Sequence, residues 1–156
     1  MSHARKEYTD FEKLAPDVFA VVRDLGQFAA KAGLDKQFLE LVKLRASQIN
    51  GCAFCVQYHI LQGESLGVPI DKLNLVVVWR EVPQFSARER AALAWTEALT
   101  LVSETHAPDA DYEAVRAEFT DGELVNLTTL IGTINAWNRI AIGFRAVHPV
   151  KVKVTA

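Results

Sequence analysis

The sequence predicts a single all-α domain of about six to seven helices. Three observations carry that expectation. Apolar residues recur three and four positions apart through most of the chain, the spacing that lines one face of a helix. Two Ser/Thr-x-x-Glu capping boxes, Ser86 to Glu89 and Thr120 to Glu123, stand directly before such runs. No linker, repeat or low-complexity segment divides the 156 residues, of which 50% are hydrophobic and 23% charged, the balance of one globular core. The domain is expected to occupy residues 1–156, with its core over about 15–148.

Taken in order, Pro16 suits the first turn of a helix, and VFAVVRDLGQFAAKA continues it to Gly33. Asp35 then serves as N-cap for KQFLELVKLRASQI, closed by Asn50-Gly51. A third helix opens at Cys52 and stops near Gly67-Val68-Pro69. A fourth covers IDKLNLVVVWRE, although Val76-Val77-Val78 also reads as a short buried strand. Ser86 starts ARERAALAWTEALTLV, and another helix follows Pro108 through YEAVRAEF. Thr120 opens the long last helix, ELVNLTTLIGTINAWNRIAIGFRAV, ended by His148-Pro149. That helix mixes Leu and Ile with Asn126, Thr133, Asn135 and Asn138, a composition that favours close packing with side-chain hydrogen bonds.

Composition narrows the function. A net charge of −2 with no basic stripe excludes nucleic acid as the expected partner. No apolar run approaches the roughly 20 residues of a membrane helix. The opening MSHARKEYTDFEKL lacks the apolar segment of a secretory signal, so a cytoplasmic location is expected. In a reducing compartment, two cysteines three positions apart point to redox chemistry or a metal rather than a permanent disulfide.

Those cysteines lie in QINGCAFCVQYH, residues 48–59. Cys52 falls at a helix start, where unpaired N–H groups and the partial positive charge of the helix favour a thiolate, the nucleophilic form. Cys55 follows one turn on. His59 lies four residues further, on the same face, placed to accept the thiol proton. The spacing supplies a nucleophile, a resolving partner and a base. Glu40 sits on the preceding, antiparallel helix, about 16 Å back from the turn against about 10 Å for His59. An extended side chain covers most of that difference, so Glu40 can orient His59. A pairing with Lys36 or Lys43 across a helix turn is the competing reading.

Glu40, eleven residues, Cys52-Ala-Phe-Cys55, three residues and His59 resemble the signature of the alkyl hydroperoxidase D family. That family is the cysteine-bearing branch of the carboxymuconolactone decarboxylase-like superfamily. LVKLRASQINGCAFCVQYH, WREVPQFSARERAALAWTEALT and ELVNLTTLIGTINAWNRIAIGFR look like successive blocks of its peroxidase-related members, over roughly residues 15–148. The resemblance implies an all-helical, oligomeric protein that reduces peroxides. By position, Cys55 resembles the cysteine that attacks the peroxide, helped by His59 and Glu40. Cys52 resembles the partner that closes the disulfide and meets an external thiol reductant of dihydrolipoamide or thioredoxin type. Members that recharge a peroxiredoxin carry a histidine immediately before the second cysteine; Phe54 stands there in this chain.

Competing readings are a general thiol-disulfide oxidoreductase, a decarboxylase or lactone-handling enzyme of the same superfamily, and a zinc site. Zinc lacks a fourth ligand at standard spacing. No Gly-rich phosphate loop is present, so no cofactor is expected, and NAD(P)H must act through a separate reductase. Trp79, Trp95 and Trp137 read as core or subunit contacts. LNLVVVW and the last helix carry apolar residues on more than one face, which predicts a homo-oligomer, a hexamer by resemblance, with the cysteines near a subunit boundary.

Overall fold

The computed structural model describes residues 6–30 and 33–147. Among these, nine α-helices and one 3₁₀ segment occur, with no strand. They are α1 (Tyr8–Leu14), α2 (Pro16–Ala30), α3 (Lys36–Ile49), α4 (Ala53–Ser65), α5 (Ile70–Leu75), the 3₁₀ segment (Val76–Glu81), α6 (Ala87–Thr100), α7 (Val102–Thr105), α8 (Asp109–Glu118) and α9 (Asp121–Gly143).

Local chemistry sets most of the boundaries. Ala15 leaves the helical region (φ −138°, ψ 59°) because a residue before proline is excluded from it, and Pro16 then opens α2. The Asp35 carboxylate accepts the Phe38 N–H at 2.9 Å. Both predicted capping boxes form. Glu89 and Glu123 accept the N–H of Ser86 and Thr120 at 2.9 Å each, and the two hydroxyls accept in return.

The structure corrects several expectations. The chain start contains α1, whose first turn is tied by the Asp10 carboxylate accepting the Glu7 N–H at 3.0 Å. Val76-Val77-Val78 is neither strand nor regular helix but 3₁₀, with a kink at Val78. Side chains take up its polar groups: the Arg90 guanidinium donates to the carbonyls of Arg80, Val82 and Phe85, and Glu97 accepts the Trp79 indole N–H at 2.8 Å. The helix from Ser86 breaks at Leu101 and restarts as α7. The last helix ends at Gly143; the expected stop at His148-Pro149 lies outside the described residues.

Helix α3 is the hub. One side, through Leu39 and Val42, joins Ala92, Val115, Leu127 and Ile131 from α6, α8 and α9. The other, through Leu41 and Leu44, joins Leu73, Val76, Trp79 and Leu93. Most of the apolar residues of α9 are covered within this chain, among them Leu124, Leu127, Leu130, Ile131 and Ile134. Exposed apolar side chains remain where the sequence placed them, at Val77, Val78, Val125 and Ile142, and a further stripe lies on α2, where Val18, Val21, Leu25 and Phe28 are exposed and share one helix face.

Candidate active site

The α3–α4 corner is built by backbone geometry. Asn50 caps α3, Gly51 takes φ +67°, and two crossed bonds close the turn: Gly51 N–H to the Gln48 carbonyl at 3.2 Å and Cys52 N–H to the Ser47 carbonyl at 3.0 Å. This Schellman arrangement needs a left-handed residue at its centre, which glycine supplies without a Cβ clash. It delivers Cys52 directly to the N-cap of α4, where its sulfur accepts the Cys55 N–H at 3.4 Å.

The two thiols are free and buried, with Cys52 Sγ and Cys55 Sγ 2.7 Å apart. Cys52 is pulled down to about 7, first by the hydrogen bond from the Cys55 thiol, against the cost of burial, with further help from the Cys55 and Phe54 N–H groups and Asn138. Cys55 is pushed up, because it donates that bond and because it is buried. The two sulfurs therefore titrate as a pair sharing a proton. Acidity favours Cys52, yet access favours Cys55: a cavity of about 450 Å³ is lined by Cys55 and His59, and Cys52 is not on its wall.

His59 and Glu40 come together as the spacing predicts. His59 Nδ1 lies 2.7 Å from Glu40 Oε2, and each residue is 6% exposed. The competing reading also holds in part, since Glu40 Oε1 accepts from Lys43 Nζ. Burial raises the Glu40 pKa, but the His59 hydrogen bond and the Lys43 charge outweigh it and hold the carboxyl below its ordinary value. Burial drives His59 below its ordinary value despite the opposing pull of Glu40. At neutral pH the pair is thus carboxylate and neutral imidazole. A carboxylate only accepts, so Nδ1 carries the proton and Nε2 is left with a lone pair.

Four contributors escaped the sequence reading. Asn138, fully buried on α9, donates to Ser47 Oγ at 3.1 Å, and its amide favours the charged form of both cysteines. Its carbonyl oxygen accepts from Asn50 Nδ2 at 2.8 Å, which fixes the amide so that its N–H groups point at sulfur and hydroxyl. The mixed polar composition of α9 was the available signal. Tyr8, from α1, stands on the cavity wall, packed on Phe54 with ring centroids 5.5 Å apart. Its hydroxyl pKa is raised by burial and then by the nearby Cys55. Tyr58 also stacks on Phe54, at 6.2 Å. Trp137, expected in core or interface, also lines the cavity. Among the described residues, no group of three His, Cys, Asp or Glu is placed to hold a metal, and no helix is long and apolar enough to cross a membrane.

Residues 16–98 match the sequence model of the Carboxymuconolactone decarboxylase family. An uncharacterised protein of Bacillus subtilis, YdfG, is 32% identical over 132 residues, 85% of this chain and 90% of that protein. A crystal structure from Agrobacterium tumefaciens, a protein of unknown function proposed to be the antioxidant defence protein AhpD, superposes with a TM-score of 0.89 at 46% identity. It covers 94% of this chain and 100% of its own. A peroxidase-related protein of Ralstonia eutropha, described as an alkylhydroperoxidase AhpD core, shares the fold with a TM-score of 0.73 at 23% identity, over 84% of this chain and 70% of its own.

Proposed function

The chain belongs to the carboxymuconolactone decarboxylase family, and we propose that within it the protein is a thiol peroxidase that reduces organic hydroperoxides and hydrogen peroxide. One observation carries this reading: two free sulfurs 2.7 Å apart, one of which shares a cavity wall with a histidine whose far nitrogen is bound to a buried carboxylate.

Cys55 is the attacking residue, because its sulfur is the one that reaches the cavity. It gives its proton to His59 Nε2, and the thiolate attacks the terminal peroxide oxygen. The O–O bond breaks, Cys55 becomes a sulfenic acid, and the departing alkoxide takes the proton back from His59 and leaves as an alcohol. Glu40 keeps the imidazole in the accepting tautomer and stabilises its cationic form. Cys52 then attacks the sulfenic sulfur, forming a disulfide and releasing water; a sulfur separation of about 2.05 Å needs little movement from the resting pair. An external dithiol, of dihydrolipoamide or thioredoxin type, returns both thiols and is itself oxidised to a disulfide. Burial of both sulfurs, at 2% and 4% exposure, favours a small oxidant over a protein disulfide. Phe54, in place of a histidine, argues against the recharging of a peroxiredoxin.

The test is turnover of tert-butyl hydroperoxide with dihydrolipoamide, thioredoxin, glutathione and dithiothreitol compared as reductants. Failure of every peroxide to consume the thiols would end this reading. We further propose a homo-oligomer, most simply a hexamer, sealed in part by the α2 stripe, whose 18, 21, 25, 28 spacing is that of a helix–helix seam. Light scattering at low micromolar concentration should give a multiple of the 17.3 kDa chain mass; a monomer mass would refute it.

A further inference from the structure

The cavity extends well beyond the reacting sulfur. Its long walls are α2 and α9, which run antiparallel. Phe19 meets Trp137 edge-on at 5.3 Å, and a Cβ at Gly26 would stand 3.3 Å from the Thr133 methyl. Lining residues on α2 span Phe19 to Ala30, about 16 Å of helix. The cysteines lie toward one end, beside Ala141. From there the walls are largely apolar and aromatic, the surroundings an alkyl chain prefers.

Two cationic side chains and no carboxylate stand on these walls. Lys43 is held by Glu40. Arg23 is paired with Asp24 at 3.3 Å, but the two side chains are 54% and 49% exposed, and such surface pairs contribute about 1 kcal/mol or less. Its guanidinium is therefore available to a stronger anion. Arg23 lies between the levels of Trp137 and Thr133, about 9 Å along the α9 axis from Ala141.

We infer that the groove takes the hydroperoxide of a long-chain carboxylic acid, its alkyl chain between α2 and α9, its carboxylate on Arg23 and its peroxide at Cys55. The inference rests on the peroxidase reading and adds a substrate class to it. A guanidinium fork matches a carboxylate with two parallel charge-assisted bonds. The separation from Arg23 to the thiol requires several methylene groups between acid and peroxide, so a mid-chain hydroperoxide fits where a compact one leaves Arg23 unused.

The experiment compares kcat/KM for the hydroperoxide of linoleic acid, its methyl ester and tert-butyl hydroperoxide, below the micelle threshold, in the full-length protein and in Arg23→Gln and Arg23→Lys. The wild type should prefer the free acid to the ester by about tenfold, the scale of one charged hydrogen-bonded contact. Arg23→Gln should bring that ratio toward one, and Arg23→Lys should retain part of it. An unchanged ratio in Arg23→Gln, or no preference in the wild type, would overturn the inference while tert-butyl hydroperoxide turnover left the peroxidase reading standing. Absence of turnover with all three peroxides would remove that reading and this inference with it.

Discussion

Replacing Glu40 by glutamine changes one atom of the buried pair, and the structure dictates which way the new amide must face. Glu40 serves two partners, Lys43 at Oε1 and His59 at Oε2. The ammonium of Lys43 can only donate, so it holds the amide oxygen, and the amide N–H groups are turned toward His59 Nδ1. The imidazole must then accept at Nδ1 and carry its proton on Nε2, where it cannot take one from Cys55. The expected cost is the loss of a general base, about 10²–10⁴-fold in the rate of peroxide reduction, or about 2.7–5.5 kcal/mol of barrier. Single-turnover loss of thiol titre under excess tert-butyl hydroperoxide measures it. His59→Ala should lose a similar factor, and the double variant should be little slower than either single one, because the two residues act as a unit. Lys43→Met in the Glu40→Gln background frees the amide to turn its oxygen to His59 and should recover part of the rate. Multiplying losses in the double variant, or a Glu40→Gln rate within about threefold of wild type on the scale expected of a base, would refute the reasoning.

Other expectations follow from the same geometry. Cys55→Ser should abolish peroxide reduction, whereas Cys52→Ser should permit one oxidation of Cys55 to the sulfenic acid and no turnover, read by mass spectrometry with a sulfenate trap. Alkylation of the cysteine pair by iodoacetamide should rise with pH around 7, where Cys52 loses its proton, and Cys52→Ser should move the midpoint upward; a flat profile from pH 6 to 8 would contradict the shared proton. Stability should fall on acidification. His59 and Glu40 both have folded pKa values below their ordinary 6.5 and 4.5, so the unfolded chain binds protons first, and thermal melts should drop progressively below about pH 6.5. Asn138→Leu should raise the pH midpoint of thiol alkylation and destabilise by about 1–3 kcal/mol for each buried partner left unpaired, measured by iodoacetamide reactivity and urea unfolding.

What the sequence made legible was chemistry confined to neighbours along the chain. Asn50-Gly51 announced the turn, Ser86 and Thr120 announced two helix starts, and the i, i+4 relation of Cys55 and His59 needed only a helix. Glu40 was within reach because a tight corner leaves few ways to lay α3 beside α4. Asn138 was visible as an odd amide among Leu and Ile, but the face it turns to sulfur depends on Asn50, 88 positions away. Helix α1 gave no signal because it has only seven residues, none of them buried; its order comes from ring contacts such as Phe11 on Phe144 at 5.6 Å. The 3₁₀ segment depends on Arg90 and Glu97, which no local pattern connects to Val78.

The reaction and the chamber around it are written in different parts of the sequence. The reacting groups, Glu40 to His59, are written in twenty consecutive positions inside the stretch that matches the family. Tyr8 and Trp137, which wall the chamber beside them, are written before and after that stretch. Since α1 buries none of its own residues, changes along it reach the thiols through the Tyr8–Phe54 contact rather than through the helical core. A lineage, or a protein engineer, can therefore retune what reaches the sulfur by editing α1 and leave the sequence from Glu40 to His59 unchanged.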